Sequence, residues 1–444
     1  MIDSFVGGVL QERWIIEQTT GAQLPYTRPQ LEIRTPLGGI VHRLTSRPNL
    51  LLVLCLAVAL FSACTPKGLH PEFDPPYICR TTTKATESLF LIGDAGEPLL
   101  PDATSADPSA LVDPVLVALA DAVEQSVDTL GADRTAVAIL GDNIYPAGLP
   151  LEGEEGRQHA LRLLEAQISA VGEARGFFTL GNHDWNQGKP GGYERALAQA
   201  DYLSKRAPNI SVHPAGGCAG PDSFNFGDHL ELIFFDLWAT LHQFDNPGGP
   251  FDHCDPIAVR GEGRVAERLD EVLGGTGERR AVFVTHPPML TTGPHGGYFT
   301  WREHLFPLRM INPNLWIPLP VIGSIFPLSR MLGVTDTDMM SKNYQDYLSA
   351  AKELFSPGHP TLVAAGHEHS LQVHVDPTGV FHAVSGAGSL KKIDYVRRLN
   401  SDLMSLAAPG FMRVDAHPDA SLRLHVIALD KAKQPELVYS TCIP

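Results

Sequence analysis

The sequence is poor in charged residues, and the charges that it has are unbalanced. Charged residues make up 19% of the 444 residues, and the excess of acidic over basic side chains gives a formal net charge of −16. This balance argues against a nucleic-acid backbone as a partner and disfavours passive attraction to an anionic membrane. An anionic substrate would therefore have to be recruited by a local positive charge, such as a bound metal ion.

Cysteine is also scarce. The chain has six cysteines and no C-x-x-C pair, which argues against a thiolate zinc site. Once the two in the N-terminal region are set aside, four remain: Cys79, Cys218, Cys254 and Cys442. An even number in an exported chain favours disulfides, and three pairings are possible. We expect Cys218–Cys254 to bracket one strand and Cys79–Cys442 to join the two ends of the domain.

The apolar run near the N-terminus is too short to span a bilayer. Leu50–Phe61 contains twelve consecutive apolar residues preceded by two arginines, which is typical of a signal peptide. The following stretch "LFSAC", Leu60–Cys64, resembles a bacterial lipobox, although Phe61 stands where an aliphatic residue is usual. The resemblance implies an exported lipoprotein, periplasmic or on the cell surface, held at the membrane by a lipid on Cys64. A plain secretory signal, a short membrane anchor and a cytosolic chain are the alternatives.

These signals divide the chain into four parts. We expect residues 1–40 to be a non-native or disordered extension, because signal peptides rarely carry so many residues before their basic region. Residues 41–63 form the predicted signal peptide, 64–87 a linker and 88–444 one domain. Within that domain an apolar, proline-rich insertion at about 300–333 lacks clean periodicity. It is either an irregular segment packed on the core, or a lid or membrane-facing patch.

Short apolar runs alternate with helix-like segments along the predicted domain. The predicted strands are Ser88–Gly93, Ala136–Gly141, Gly176–Gly181, Glu231–Phe235, Ala281–Thr285, Thr361–Ala365, Val380–Ser385, Phe411–Val414, Leu422–Leu429 and Leu437–Ser440. The predicted helices are Ser109–Leu130, Gly156–Val171, Tyr193–Arg206, Gly263–Leu273 and Asp338–Leu354. This alternation predicts a layered α/β fold.

Polar side chains recur where five of these strands end. They are Asp94 in "LFLIGDAG", Asp142 and Tyr145 in "AILGDNIY", Asn182 and His183 in "FFTLGNHD", His286 in "VFVTHPP", and His367 and His369 in "LVAAGHEHS". Ligands in open α/β sheets gather at the carboxyl ends of strands, so we expect these five loops to converge. Each residue alone fits a turn, a cap or a hydrogen-bonded core position. The whole set points to a metal site.

The five blocks, G-D-x-G, G-D-x-x-Y, G-N-H-D, V-x-x-H and G-H-x-H, resemble the calcineurin-like metallophosphoesterases, and within them the small, single-domain, tartrate-resistant type of purple acid phosphatase. The resemblance covers Ser88–Ser389 and departs at Phe283, where the family has Val. Most metallophosphoesterases carry a histidine at the position of Gly96. Its absence together with Tyr145, a hard oxygen donor suited to a ferric ion, indicates the iron-containing branch. Taken alone, Tyr145 also fits a packed aromatic with a hydrogen-bonded hydroxyl.

The resemblance implies a fold of two mixed β-sheets flanked by helices and a site for two metals. Fe(III) would be held by Asp94, Asp142, Tyr145 and His369. A divalent Fe, Zn or Mn ion would be held by Asp142, Asn182, His286 and His367. Asp142 would bridge the two ions. The implied activity is hydrolysis of phosphate monoesters by a hydroxide that the metals hold.

Two further histidines have implied roles at the substrate. His183 would contact the phosphate or protonate the leaving group, and His295 would face the substrate. The alternatives are an orienting role for His183 and an exposed loop position for His295. A phosphodiesterase or nucleotide hydrolase with the same two metals, and a non-catalytic surface lipoprotein, remain competing functions. We expect a monomer with a phosphate ester as substrate.

Overall fold

The computed structural model describes residues 77, 83–101, 107, 110–241, 254, 271–275, 277–310, 314–335, 337–345, 348–349, 355, 359–399 and 402–444. Several predictions of the preceding subsection lie outside these residues. They are the extension 1–40, the signal peptide 41–63, Cys64, most of the linker 64–87, Cys79, most of the helix predicted at 263–273 and part of the one at 338–354.

The first sheet has seven strands, in the order β14-β13-β12-β1-β2-β3-β4. These strands are β1 Glu87–Ile92, β2 Thr135–Ile139, β3 Arg175–Phe178, β4 Ile210–Val212, β12 Gly410–Ala416, β13 Leu422–Leu429 and β14 Pro435–Ile443. Strands β1 to β4 are parallel, and β12 to β14 extend the sheet antiparallel beyond β1. The sheet is therefore mixed.

The second sheet also has seven strands, in the order β11-β9-β10-β8-β7-β6-β5. These strands are β5 Asp222–Phe226, β6 Leu230–Phe234, β7 Arg280–Val284, β8 Leu362–Ala365, β9 Leu371–Val375, β10 Phe381–Ser385 and β11 Asp402–Leu406. Its centre, β6-β7-β8-β10, is parallel and its two edges are antiparallel. The expected architecture of two mixed sheets is confirmed.

Buried side chains on both faces of the strands explain this layering. Leu89 and Leu91 of β1 pack in one apolar cluster with Val282 and Val284 of β7, which joins the two sheets face to face. The alternate residues of the same strand belong to a second cluster shared with the flanking helices, as Phe90 illustrates. Successive side chains of a strand point to opposite faces, so continuous apolar runs produce strands covered on both sides.

The described helices are short to medium in length. They are α1 Pro114–Leu130, α2 Arg157–Val171, α3 Gly192–Arg206, α4 Leu237–Leu241, α5 Trp301–Leu305 and α6 Ile325–Met331. Asp113 caps α1, since its carboxylate accepts hydrogen bonds from the backbone of Val115 and Leu116. Over the described part of the chain, no helix combines the length and apolar character that crossing a membrane requires.

The insertion is folded, but many of its apolar side chains are exposed. It contains α5, which begins with a capping box of Thr300 and Glu303, and α6, which packs against α5. Trp316 and Ile322 are exposed to 54% and 66% of their area. Both alternatives for this segment, packing on the core and a lid or membrane-facing patch, stay predictions.

One of the two expected disulfides lies within the described residues. Cys218 and Cys254 are bonded across a sequence separation of 36 residues, as predicted. Cys442 is also disulfide-bonded. The pairing Cys79–Cys442 stays a prediction, because Cys79 lies outside the described part of the chain.

Replacing both Cys218 and Cys254 by serine is expected to lower the free energy of unfolding by about 2–4 kcal/mol, because the bond restricts a loop of the unfolded chain. Denaturant unfolding of the variant and the parent, under non-reducing conditions, measures this difference. Equal unfolding midpoints would show that this bond does not stabilise the domain.

Candidate metal centre

The polar strand ends of both sheets meet at one place. In the first sheet, Asp94, Asp142 and Asn182 follow the parallel strands β1, β2 and β3, and in the second, His286 and His367 follow β7 and β8. The backbone N–H of His367 donates to the Asp94 carboxylate at 2.7 Å, which ties the two sheets together at this edge. The convergence expected from the sequence is present, and all seven predicted ligand residues lie in this region.

Three of them form a first group around the Tyr145 hydroxyl. This hydroxyl donates to Asp94 Oδ1 at 2.9 Å and lies 3.1 Å from His369 Nε2. His369 Nε2 is in turn 3.4 Å from Asp94 Oδ1. Asp94 and Tyr145 are buried and His369 is partly exposed. A phenol, a carboxylate and an imidazole thus face one another within hydrogen-bond distance.

Three others form a second group around the Asn182 amide. The Asn182 Oδ1 atom lies 3.1 Å from both His286 Nε2 and His367 Nδ1. These two imidazole nitrogens are 3.3 Å apart. All three side chains are buried. This is the set that the resemblance assigns to the divalent ion, apart from the shared carboxylate.

The Asp142 carboxylate lies beside both groups. The Asp142 Oδ1 atom is 3.4 Å from His286 Nε2. Asp94, Asp142 and His286 each offer one ligand atom, and these three atoms lie within 4.8 Å of one another. These three buried residues form a candidate metal site. The backbone N–H of His183 also donates to Asp142 Oδ1, at 2.9 Å. Asp142 therefore lies close to a residue of each group.

Each imidazole is oriented through the nitrogen that points away from the site. His286 Nδ1 lies 2.7 Å from the Leu140 carbonyl, and His367 Nε2 lies 3.0 Å from the Thr337 carbonyl. His369 Nδ1 pairs with Asp394 at 2.8 Å. A carbonyl or carboxylate partner makes that nitrogen the N–H donor and turns the other one inward, which is the usual support of a metal-binding histidine.

The pKa shifts of two imidazoles, His286 and His369, indicate that this site attracts positive charge. Burial opposes charge on His286, but Asp142 and Asp94 outweigh it and raise the His286 pKa. Burial also opposes charge on His369, whose pKa Asp394 and Asp94 raise well above its usual range. These raised pKa values reflect the negative charge that the carboxylates place at the site. Metal ions held there would compensate that charge and displace imidazole protons.

The pKa shifts of Tyr145 and His367 both favour the uncharged side chain. Burial raises the pKa of Tyr145 well above its usual range, and the Asp142 and Asp94 carboxylates raise it further. Burial lowers the pKa of His367 well below its usual range, and His295 and His286 reinforce the effect. A neutral His367 is ready to bind a metal, whereas ionising Tyr145 needs a strong positive charge beside its oxygen.

The backbone is strained where the ligands sit. Asp94, Asp142 and His367 have φ angles of 59°, 55° and 70°, a region that side chains other than glycine rarely adopt. Such strain persists only where the surroundings enforce it, and it is concentrated at functional sites. Gly96 packs closely against this backbone, since a Cβ at that position would lie 2.5 Å from the Asp142 carbonyl oxygen.

The two histidines with implied catalytic roles stand on opposite sides of the site. His183 packs edge-on against the Tyr145 ring, and its Nε2 lies 3.9 Å from Asp142 Oδ2. His295 lies against the ring of His367, with 3.9 Å between ring centroids. Both side chains are partly exposed, to 18% and 17%. Each is therefore accessible to a substrate that enters the site.

Sequence reasoning missed a lysine at this site. The Lys392 ammonium lies 3.2 Å from the centroid of the Tyr145 ring, in a half-buried position. Burial lowers its pKa, although Glu97, Asp142 and Asp94 favour its charge. Lys392 comes shortly after "VSGAG", Val384–Gly388, a stretch that falls within the resemblance. Its position after that stretch was the sequence signal that could have indicated a residue of the site.

The insertion also reaches the site, which the sequence pattern did not reveal. Arg330 of α6 places its Nη2 atom 2.7 Å from His295 Nδ1 and pairs with the buried carboxylate of Asp338. The Thr337 carbonyl lies 3.0 Å from His295 Nδ1 as well as from His367. Arg330 and Thr337 thus contact two site histidines, although the sequence of the insertion lacks clean periodicity.

Comparisons with known proteins leave the family open. No family model matches the chain, and no curated protein matches it. Among solved structures it is similar to GAP50, the anchor in the inner membrane complex of Plasmodium, with 14% identity, a TM-score of 0.45 and coverage of 80% of this chain and 88% of that one. It is also similar to the purple acid phosphatase PPD1 from yellow lupin (Lupinus luteus) seeds, with 12% identity, a TM-score of 0.47 and coverage of 83% of this chain and 55% of that one. TM-scores below 0.5 support no conclusion about function, which we infer from the residues of the site.

The Gly96→Ala variant is expected to bind divalent metal about 10- to 100-fold more weakly, the usual cost of disturbing the support of a ligand. The added Cβ would push on the Asp142 and Asn143 backbone. Calorimetric titration with Mn²⁺ measures the change. Gly274→Ala is the matched control, since a Cβ there meets nothing within 4 Å. Unchanged affinity in Gly96→Ala would contradict the predicted position of Asp142 in the site.

Proposed function

We propose that this chain is a metal-dependent phosphatase that hydrolyses phosphate monoesters. The observation that carries the proposal is the division of six donor residues into two groups of three beside the carboxylate of the seventh, Asp142. One group offers a phenol, a carboxylate and an imidazole, and the other an amide and two imidazoles. Two adjacent sites with a shared carboxylate suit the in-line displacement of an alcohol from phosphorus.

The donor sets favour different ions. We assign Fe(III) to Asp94, Tyr145 and His369, because a phenolate is a hard donor and only a strong charge would ionise so deeply buried a tyrosine. We assign a divalent Fe, Zn or Mn ion to Asn182, His286 and His367. When both ions are bound, they would neutralise charge on the phosphate and lower the pKa of a water molecule at the site.

The remaining side chains of the site act on the substrate and its leaving group. His183 Nε2 faces the metal centre beside Asp142, so it is the proposed proton donor to the departing alkoxide. His295, held by Thr337 and Arg330, faces the substrate from the other side. Lys392 adds positive charge next to Tyr145 and favours the approach of an anionic ester. Lys392 thereby offsets, at the site, part of the acidic net charge of the chain.

The proposal includes export and a lipid on Cys64. The lipobox-like stretch and its apolar run support this location, and so does the disulfide Cys218–Cys254, since disulfides persist in oxidising compartments. With a lipid at its N-terminal end the enzyme would work at a membrane, on phosphate esters that reach the cell surface or the periplasm.

The first test is phosphate release from an aryl phosphate by metal-loaded protein. We expect hydrolysis of the monoester in preference to a bis-aryl phosphate, and loss of about 10³-fold or more of kcat/KM in Asp142→Asn, because the shared ligand serves both ions. Asp236→Asn is the matched control: Asp236 is also buried, and the amide keeps an acceptor for the Trp185 indole N–H. Preference for the diester would favour a phosphodiesterase, and metal-loaded protein without activity would favour a binding protein.

The second test addresses iron. We expect iron-loaded protein to show a broad visible absorption band from the phenolate of Tyr145, and Tyr145→Phe to lose it while keeping bound iron. Absorption spectra together with elemental analysis of both proteins decide the matter. A colourless but active parent, or a band that survives in Tyr145→Phe, would remove the ferric assignment and leave the phosphoesterase proposal standing.

A further inference from the structure

A buried glutamate separates two of the predicted metal ligands. Glu368 lies between His367 and His369 in the loop that follows β8, and it is fully enclosed, at 0% exposure. A carboxyl group in such a place is stable only where hydrogen bonds replace the water that it has lost. The partners that Glu368 has found lie on a different loop, which carries His295.

One oxygen of Glu368 accepts hydrogen bonds from the loop that carries His295. The backbone N–H groups of His295 and Gly296 donate to Glu368 Oε1 at 2.9 and 3.2 Å. The Thr291 hydroxyl donates to the same oxygen at 3.2 Å. The two backbone donors belong to the short turn Pro294–Gly296, which lies more than 70 residues before Glu368 in the sequence. These bonds fix the turn relative to the loop of the metal ligands.

The second oxygen of Glu368 lies against a glycine. A Cβ at Gly293 would be 2.2 Å from Glu368 Oε2, a separation shorter than any ordinary contact. The loop therefore approaches the carboxyl group more closely than a residue with a side chain would allow. The loop and the glutamate are matched in shape as well as in hydrogen bonding.

The other hydrogen-bonding groups of His295 contact Arg330, Thr337 and Met339. The Met339 N–H donates to the His295 carbonyl at 2.9 Å. The ring atom Nδ1 lies 3.0 Å from the Thr337 carbonyl and 2.7 Å from Arg330 Nη2. These contacts orient the imidazole, whereas the bond to Glu368 holds the backbone that carries it.

Glu368 thus connects the loop of two metal ligands to the loop of a histidine that faces the substrate. We propose that Glu368 is a positioning residue for His295, which fixes the turn 294–296 where the His295 ring can reach a bound ester. The part played by His295 rests on the proposed function, whereas the fixing of the turn does not depend on it. What the turn needs is an oxygen acceptor in the place of Oε1, so glutamine should replace Glu368 and alanine should not.

Backbone hydrogen exchange, measured by mass spectrometry on the full chain, tests whether Glu368 fixes the turn. In Glu368→Ala, peptides that cover residues 293–297 should exchange faster than in the parent, because the N–H groups of His295 and Gly296 lose their acceptor. In Glu368→Gln these peptides should exchange as slowly as in the parent. Unchanged exchange in Glu368→Ala would overturn the proposal.

A second variant disturbs the same contact from the other side and leaves Glu368 in place. Gly293→Ala should also speed exchange of the turn, because its Cβ would displace the carboxyl group. Gly274→Ala is the matched control, since its Cβ meets nothing within 4 Å. Circular dichroism checks that each variant folds. Exchange as slow in Gly293→Ala as in the control would contradict the close contact on which the proposal depends.

Kinetics of the metal-loaded protein on an aryl phosphate test whether Glu368 acts through His295. Glu368→Ala should lower kcat/KM about 10- to 100-fold, because a misplacement of about 1 Å can cost that much. The changes in kcat and in KM should be in the same proportion as in His295→Ala. The double variant should be no worse than His295→Ala, since residues that act as a unit are not additive.

Three outcomes of these measurements separate positioning from other roles. Losses that multiply in the double variant would overturn the proposal, because Glu368 would then act independently of His295. A loss of Mn²⁺ affinity in Glu368→Ala as large as the loss of kcat/KM, measured by calorimetric titration, would also overturn it and assign Glu368 to the support of the metal ligands. If the parent hydrolyses no phosphate ester, the proposed function fails, and hydrogen exchange still decides whether Glu368 fixes the turn.

Discussion

The structure is organised around one buried charge. The Asp142 carboxylate is almost fully enclosed, at 2% exposure, and lies within 4 Å of imidazole nitrogens of His183 and His286. A buried carboxylate is stable only with compensating positive charge or several hydrogen bonds. Asp142 in turn raises the pKa of His286 against the opposing effect of burial. Metal ions in the same position would provide compensating charge, and for that reason we regard the cluster as a metal centre.

The carboxylate can be held there because both sheets end at one edge. Asp184, whose pKa burial and the nearby Asp142 charge raise to about 7, accepts backbone hydrogen bonds from Asn143, Ile144 and Gly181. It thereby fixes the loop that carries Asp142 against the loop that carries Asn182. Glycine at 96 leaves room for this loop, and a histidine side chain there would collide with the Asp142 carbonyl unless the backbone moved. This backbone therefore favours glycine at position 96 for a steric reason.

Much of this arrangement was predictable from the sequence, because a continuous apolar run that ends in glycine and a polar residue is typical of a buried strand that leads into a polar loop. Four strands, β4, β5, β9 and β11, were not predicted. β4 has only three residues, and β9 buries Gln372 and His374, which look like surface residues in a sequence. Tertiary partners make that burial possible: His374 pairs with Asp402 at 3.1 Å, and Gln372 accepts the Thr292 backbone N–H. Such long-range compensation leaves no periodic pattern.

The insertion shows the same limit of sequence reasoning. Its apolar, proline-rich composition indicated something unusual, but not that Arg330 and Thr337 would reach His295, 35 and 42 residues earlier. That contact depends on how α6 packs and not on local preference. It makes the insertion part of the site wall on one side and an exposed apolar surface on the other.

Anomalous scattering from crystals grown with iron and zinc would show whether two metal ions share Asp142. We expect two peaks about 3.5–4 Å apart, one beside Tyr145 and His369 and the other beside Asn182 and His286. A single peak that involves Asp142, or none within reach of that carboxylate, would contradict this expectation.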